Sequence, residues 1–140
     1  MIVLDTNIVS VLARPDHPDL PIINAWRQAS LDRKFRVTAI SRAEIAYGIA
    51  ILPEGARKRR LAAQADQFFA PLVNLTLPFG FHEADAFGII MADRRAKGHP
   101  MSILDAQIAA IAKVAGATVA TRDTKDFLDC GIAVVNPYAL

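Results

Sequence analysis

Short runs of apolar residues with no polar alternation recur along this chain, and segments of helical spacing separate them. Ile2, Val3 and Leu4 form the first run, and such a run suits a strand buried on both faces, as in a parallel sheet. Ile8, Val9, Val11 and Leu12 resume an apolar pattern as a short helix, and a Pro-rich turn follows at 14–18. Ile22, Ile23 and Trp26 mark a helix over 20–29, with Trp26 expected in the core or at a subunit interface. Residues 34–39 read as a second strand. Ser41 opens the next helix, whose apolar face is Ile45, Ile49 and Leu52 and which Pro53 stops. Residues 54–70 are a further helix, 73–77 a third strand, and 82–97 an amphipathic helix closed by Gly98. A helix opened by Ser102 runs to Gly116, with Leu104, Ile108, Ile111 and Ala115 as its expected buried stripe. Residues 117–120 and 132–135 are the fourth and fifth strands.

Repeated strand-helix-strand units imply an α/β domain spanning 1–140: a three-layer sandwich around a central parallel, Rossmann-like sheet of about five strands with right-handed crossovers. The length of 140 residues is that of one domain. At 53% hydrophobic and 21% charged residues the chain is globular rather than disordered. No apolar run approaches the roughly 20 residues that span a bilayer, and the chain enters a strand at once, without a signal peptide. A single cysteine, Cys130, excludes an internal disulfide and suits a reducing cytoplasm. The net charge of +2 is too small to argue for a nucleic-acid partner by itself.

The chemistry gathers at one place. Asp5 follows the first strand, and ligands of open α/β sheets bind at the carboxyl ends of the strands. Read alone, Asp5 or Asn7 is equally a helix cap, and a receiver domain or a phosphatase of the haloacid dehalogenase type also puts an acid there. Glu44 and Asp105 stand in Ser-x-x-acid segments at helix starts, a spacing that also describes a capping box. Asp123 lies at the end of the fourth strand, after Thr121. In a parallel sheet these four positions share an edge, where their charges repel unless a cation neutralises them. Carboxylate ligands suit Mg²⁺ or Mn²⁺ rather than zinc, and His17, His82 and His99 have no metal-ligand spacing. With no serine, cysteine or histidine placed as nucleophile, water activated by metal is the economical chemistry. The Arg57-Lys-Arg-Arg60 run is a solvated face or a phosphate-binding patch.

Taken together, LDTNIVS at 4–10, Glu44, Asp105 within SILDAQIAAIA, and TRDTKDF at 121–127 resemble a PIN domain. More narrowly, they resemble bacterial toxins of the VapC or FitB type, over nearly the whole chain. The resemblance implies a Mg²⁺- or Mn²⁺-dependent ribonuclease held inactive by a cognate antitoxin of the VapB or FitA type. Toxin and antitoxin together would bind operator DNA. The family's acids fall on Asp5, Glu44, Asp105 and Asp123, with Thr6, Asn7 and Thr121 as polar partners. Asp5 and Asp105 are the first candidates for direct metal ligands. Glu44 and Asp123 complete the cup, as ligands (Asp123 above all) or by orienting water. Two departures bear on this assignment. Position 123 is often asparagine in relatives, and Asp126 adds a nearby acid that is equally a cap or a partner for Arg122. The helices at 41–52 and 54–70 are candidates for a homodimer or higher assembly, because Ile45, Ile49, Leu61 and Phe68 exceed one core face. Two other functions remain open. One is a non-catalytic module that binds operator DNA with its antitoxin. The other is a haloacid dehalogenase-type phosphatase, which wants a second acid where Asn7 stands.

Overall fold

A computed structural model describes residues 1–139. Five parallel strands form the central sheet: β1 (Ile2–Leu4), β2 (Phe35–Thr38), β3 (Thr76–Leu77), β4 (Thr118–Ala120) and β5 (Val134–Val135), in the order β3-β2-β1-β4-β5. Six helices connect them: α1 (Thr6–Leu12), α2 (Leu20–Ala29), α3 (Ala39–Ala50), α4 (Ala56–Phe69), α5 (Phe81–Ala96) and α6 (Ile103–Ala115). The chain builds outward from β1 through β2 to β3, then returns to lay β4 against the other side of β1. That reversal opens a crevice between the ends of β1 and β4, the usual ligand site in such sheets.

Alternation along β1 explains the layering. Ile2 and Leu4 enter a core with Ile8, Val9, Ile23, Trp26, Val37 and Phe69, while Val3 joins the opposite core with Ile90, Ile108, Val119 and Phe127. Successive strand side chains point to opposite faces, so a three-residue strand buried on both sides ties the two cores together. Each fully buried aliphatic side chain contributes about 1.5–3 kcal/mol. Trp26 sits in the core, edge-on to Phe35 with ring centroids 5.3 Å apart.

Three expectations change. Residues 73–77 are not one strand: a 3-10 helix occupies Ala70–Leu75 and only Thr76–Leu77 pair with β2. Pro71 starts this turn without an N–H to offer a ladder, and the Thr76 hydroxyl donates to the Leu72 carbonyl at 2.8 Å. On α6, Leu104 and Ala115 are exposed, whereas Ala106 and the run from Ile108 to Ala112 are buried. This helix is covered by the sheet on one side and by α5 on the other, so its small alanines are core positions. The third change concerns the start of α3, which begins at Ala39 rather than Ser41. Both glycine stops hold: Gly98 (φ +75°) and Gly116 (φ +62°) take the left-handed conformation that ends α5 and α6.

Candidate functional site

Asp5 ends β1 and caps α1. Its Oδ1 accepts the Thr6 N–H at 2.8 Å, and its Oδ2 accepts the Thr121 hydroxyl at 2.7 Å across the β1–β4 crevice. The side chain is therefore both a cap and a bridge between strands. Only 6% exposed, its carboxyl is pushed up to about 6, chiefly by burial; the two hydrogen bonds oppose the rise, and the charges of Asp105 and Glu44 add to it. Deprotonated Asp5 is thus a desolvated anion with acidic neighbours.

Thr121, fully buried at the end of β4, is the hub of the crevice. While donating to Asp5, its oxygen accepts the Asp123 N–H at 3.0 Å and the Asn7 amide at 3.3 Å. Asn7 also donates to Asp123 Oδ2 at 3.1 Å, and its own carbonyl oxygen accepts the Arg122 N–H at 3.4 Å. The first turn of α1 is so stitched to the loop after β4.

Glu44 reaches the same edge by an unexpected route. Thr38, not Ser41, is the N-cap of α3, its hydroxyl accepting the Ser41 N–H at 3.1 Å. This moves Glu44 to the second turn, where no capping box with Ser41 can form, and frees both side chains for the crevice. The Thr6 hydroxyl donates to Glu44 Oε1 at 2.8 Å and lies 2.9 Å from the fully buried Ser41 hydroxyl.

Asp105 is the third residue of α6, and Ser102 caps it through the Asp105 N–H at 3.2 Å. Its carboxyl is raised, first by burial and then by the charges of Asp126 and Asp123; the Ser102 bond and the Arg94 charge oppose the rise. Asp126 thus acts on the site, but not through Arg122. That guanidinium lies over the Tyr138 ring and 3.8 Å from Asp19.

The acids form a chain of mutually repelling charges, with Glu44 and Asp105 acting on Asp5 and Asp123 and Asp126 acting on Asp105. Among the described residues, no three His, Cys, Asp or Glu side chains close into a metal cage by themselves. The donors on offer are carboxylate, hydroxyl and amide oxygens. Mg²⁺ keeps several waters and takes one or two protein carboxylates, so an open edge of this kind fits it, and the charge it brings would offset the desolvation of Asp5. Of the cationic run, Lys58 bonds Glu54 at 2.6 Å and the Ala50 carbonyl at 3.0 Å, while Arg57, Arg59 and Arg60 are exposed. Ser41 and Arg94 are the polar residues that the sequence reading missed as parts of this edge. Ser41 looks like an ordinary cap, and Arg94 like one more cation at a solvated helix end.

The PIN domain family model matches residues 2–131. The chain belongs to the PIN domain family. Among curated PIN relatives, the VapC ribonuclease Y4jK of Sinorhizobium fredii is 34% identical over 99% of this chain and 98% of its own. Toxin FitB of Neisseria gonorrhoeae is 35% identical over 99% of each chain. Among solved structures, FitAB bound to a DNA fragment superposes with a TM-score of 0.87 at 35% identity, covering all of this chain and 97% of the other. These likenesses group the chain with the VapC and FitB toxins and support a nuclease role. They leave no place for the phosphatase alternative, in which Asn7 would have to be an acid; here its amide serves Thr121 and Asp123.

Proposed function

We propose that this protein is a Mg²⁺- or Mn²⁺-dependent endoribonuclease, the toxin of a toxin–antitoxin pair, acting in the cytoplasm as one PIN domain. The observation that carries the reading is the crevice between β1 and β4. There, a buried carboxylate whose pKa is raised to about 6 has further acids and oxygen donors beside it, and among the described residues no cation is bonded to it. Asp5 and Asp105 would hold the metal directly, with Asp123 and Glu44 completing the set through water. When bound, the metal supplies Lewis-acid activation of water and of the phosphodiester.

The chain's own groups do the rest. Thr121 and the Thr6 N–H each hold one oxygen of the Asp5 carboxylate, which fixes its orientation and leaves a further lone pair on each oxygen. Thr6, steadied by Ser41, holds Glu44 to orient water or take its proton. Asn7 fixes Asp123. The scissile phosphate is itself an anion, so these carboxylates alone would repel it, which is why the charge of a cation belongs to the reading.

The partner inferred is an antitoxin that places an arginine among these acids, since a forked, always-charged donor pairs with several carboxylates at once. Assembly of toxin and antitoxin on operator DNA, and a homodimer through α3 and α4, complete the proposal. The DNA-bound FitAB neighbour also favours a second reading, a non-catalytic module that binds DNA with its partner. Cleavage of RNA by the purified, partner-free chain separates the two. Cleavage is expected with Mg²⁺ or Mn²⁺, is abolished by EDTA and is restored by added Mn²⁺. Undiminished cleavage in EDTA would refute the metal mechanism, and no cleavage under any metal would favour the DNA-binding module.

A further inference from the structure

We propose that Arg94 is a positioning residue of this site, stapling the loop that leads into Asp105 to the turn that carries Asp123 and Asp126. The inference rests on the nuclease reading. Arg94 lies in the last turn of α5 and is 6% exposed, while its neighbour Arg95 is exposed. Its Nε donates to the His99 carbonyl at 2.6 Å, and Nη1 donates to the carbonyls of Asp126 at 3.1 Å and Leu128 at 2.7 Å.

These carbonyls belong to two different segments. His99 sits in the loop after α5, three residues before the Ser102 cap of α6. Its own N–H returns to the Arg94 carbonyl at 3.0 Å, so the loop is held to Arg94 from both sides. Asp126 and Leu128 sit in and just after the 3-10 turn Thr124–Phe127, whose first bond runs from the Asp126 N–H to the Asp123 carbonyl at 3.0 Å. One guanidinium therefore spans the two backbones that present the acids acting on one another at this edge.

The way Arg94 is buried argues for position rather than bulk stability. Among the described residues its guanidinium has no carboxylate within salt-bridge distance. A buried charge is costly, and a well-packed apolar residue often serves stability as well or better. What an apolar residue cannot supply is a rigid, planar fork donating to three carbonyls at once, and a lysine supplies it only in part.

The test compares wild type with Arg94→Lys, which keeps the charge and stem without the fork, and Arg94→Met, which keeps the stem alone. Mn²⁺ binding is measured by calorimetry, RNA cleavage as kcat and KM, and folding by urea titration in EDTA. Displaced acids are expected to weaken Mn²⁺ binding and lower kcat by about 10–100-fold, as loss of the groups that orient metal ligands does. KM should hardly move, and Lys should retain more function than Met. If Arg94→Met does not fold, Arg94→Lys decides alone. Wild-type Mn²⁺ affinity and kcat in Arg94→Lys and in folded Arg94→Met would overturn the proposal, even if both variants were less stable. Wild type that neither binds Mn²⁺ nor cleaves RNA would overturn the underlying nuclease reading instead.

Discussion

Neutralising Asp5 should stabilise the metal-free protein at neutral pH and destabilise it in acid. The folded-state carboxyl sits at about 6 against an ordinary 3.8, mainly because it is buried. A raised folded value means that the native state binds the proton more tightly than the unfolded chain does. The associated stability is present in full below 3.8 and is lost as pH rises through 6. That gap corresponds to about 3 kcal/mol of stability absent at pH 8. Asp5→Asn removes the charge but keeps the shape.

The substitution also has a cost. One Asp5 oxygen accepts from the Thr6 N–H and the other from the Thr121 hydroxyl; an asparagine has one oxygen, so its amide N–H₂ must face either the Thr6 N–H or a Thr121 oxygen that already accepts from Asp123 and Asn7, at about 1–2 kcal/mol. The balance at pH 8 in EDTA is a gain of about 1–2 kcal/mol, or a Tm higher by about 3–8 °C for a chain of this size. At pH 4 the wild-type carboxyl is protonated in the fold, the relief vanishes, and Asp5→Asn should melt below wild type. Calorimetric melts of both proteins in EDTA at pH 4 and 8 check the crossover. Added Mn²⁺ should raise the wild-type Tm and leave that of Asp5→Asn nearly unmoved, with cleavage lost. If Asp5→Asn melts lower than wild type at both pH values, Asp5 is a satisfied structural cap and the electrostatic argument fails.

Two further substitutions probe the same crevice. Thr121→Val keeps the buried volume but removes the donor to Asp5 and the acceptor for the Asp123 N–H. It should cost about 1–3 kcal/mol in urea unfolding and lower cleavage, and an unchanged midpoint would deny Thr121 its place as hub. Glu44→Gln should lower cleavage while moving stability by less than about 0.5 kcal/mol, because Glu44 lies beyond the first turn of α3 and its amide oxygen can still accept from Thr6. A loss of stability with full activity would make Glu44 a structural residue.

The sequence by itself determined what is local or periodic. The unbroken apolar run at 2–4 carries the signature of a doubly buried strand, and the structure places it at the centre of the sheet. Gly98 and Gly116 mark helix ends because the left-handed conformation they adopt is cheap only without a Cβ. The positions of Asp5, Asp105 and Asp123 at strand and helix ends follow from the same patterns, and parallel topology puts such ends on one edge.

Tertiary structure alone decided which groups touch. The Asp5–Thr121 bond joins residues 116 apart in the chain and exists because β4 returns beside β1. Two hydroxyls, Thr38 and Ser41, competed for one helix start. Local pattern favoured Ser41, but the buried end of β2 delivered Thr38 to the cap and left Ser41 and Glu44 to Thr6. Arg94 and Arg95 are alike in sequence; a rotation of about 100° along the helix turns one inward onto three carbonyls and the other into water. A one-dimensional pattern states which residues are able to form such bonds, whereas distance between segments far apart in the chain is fixed only when the sheet order is.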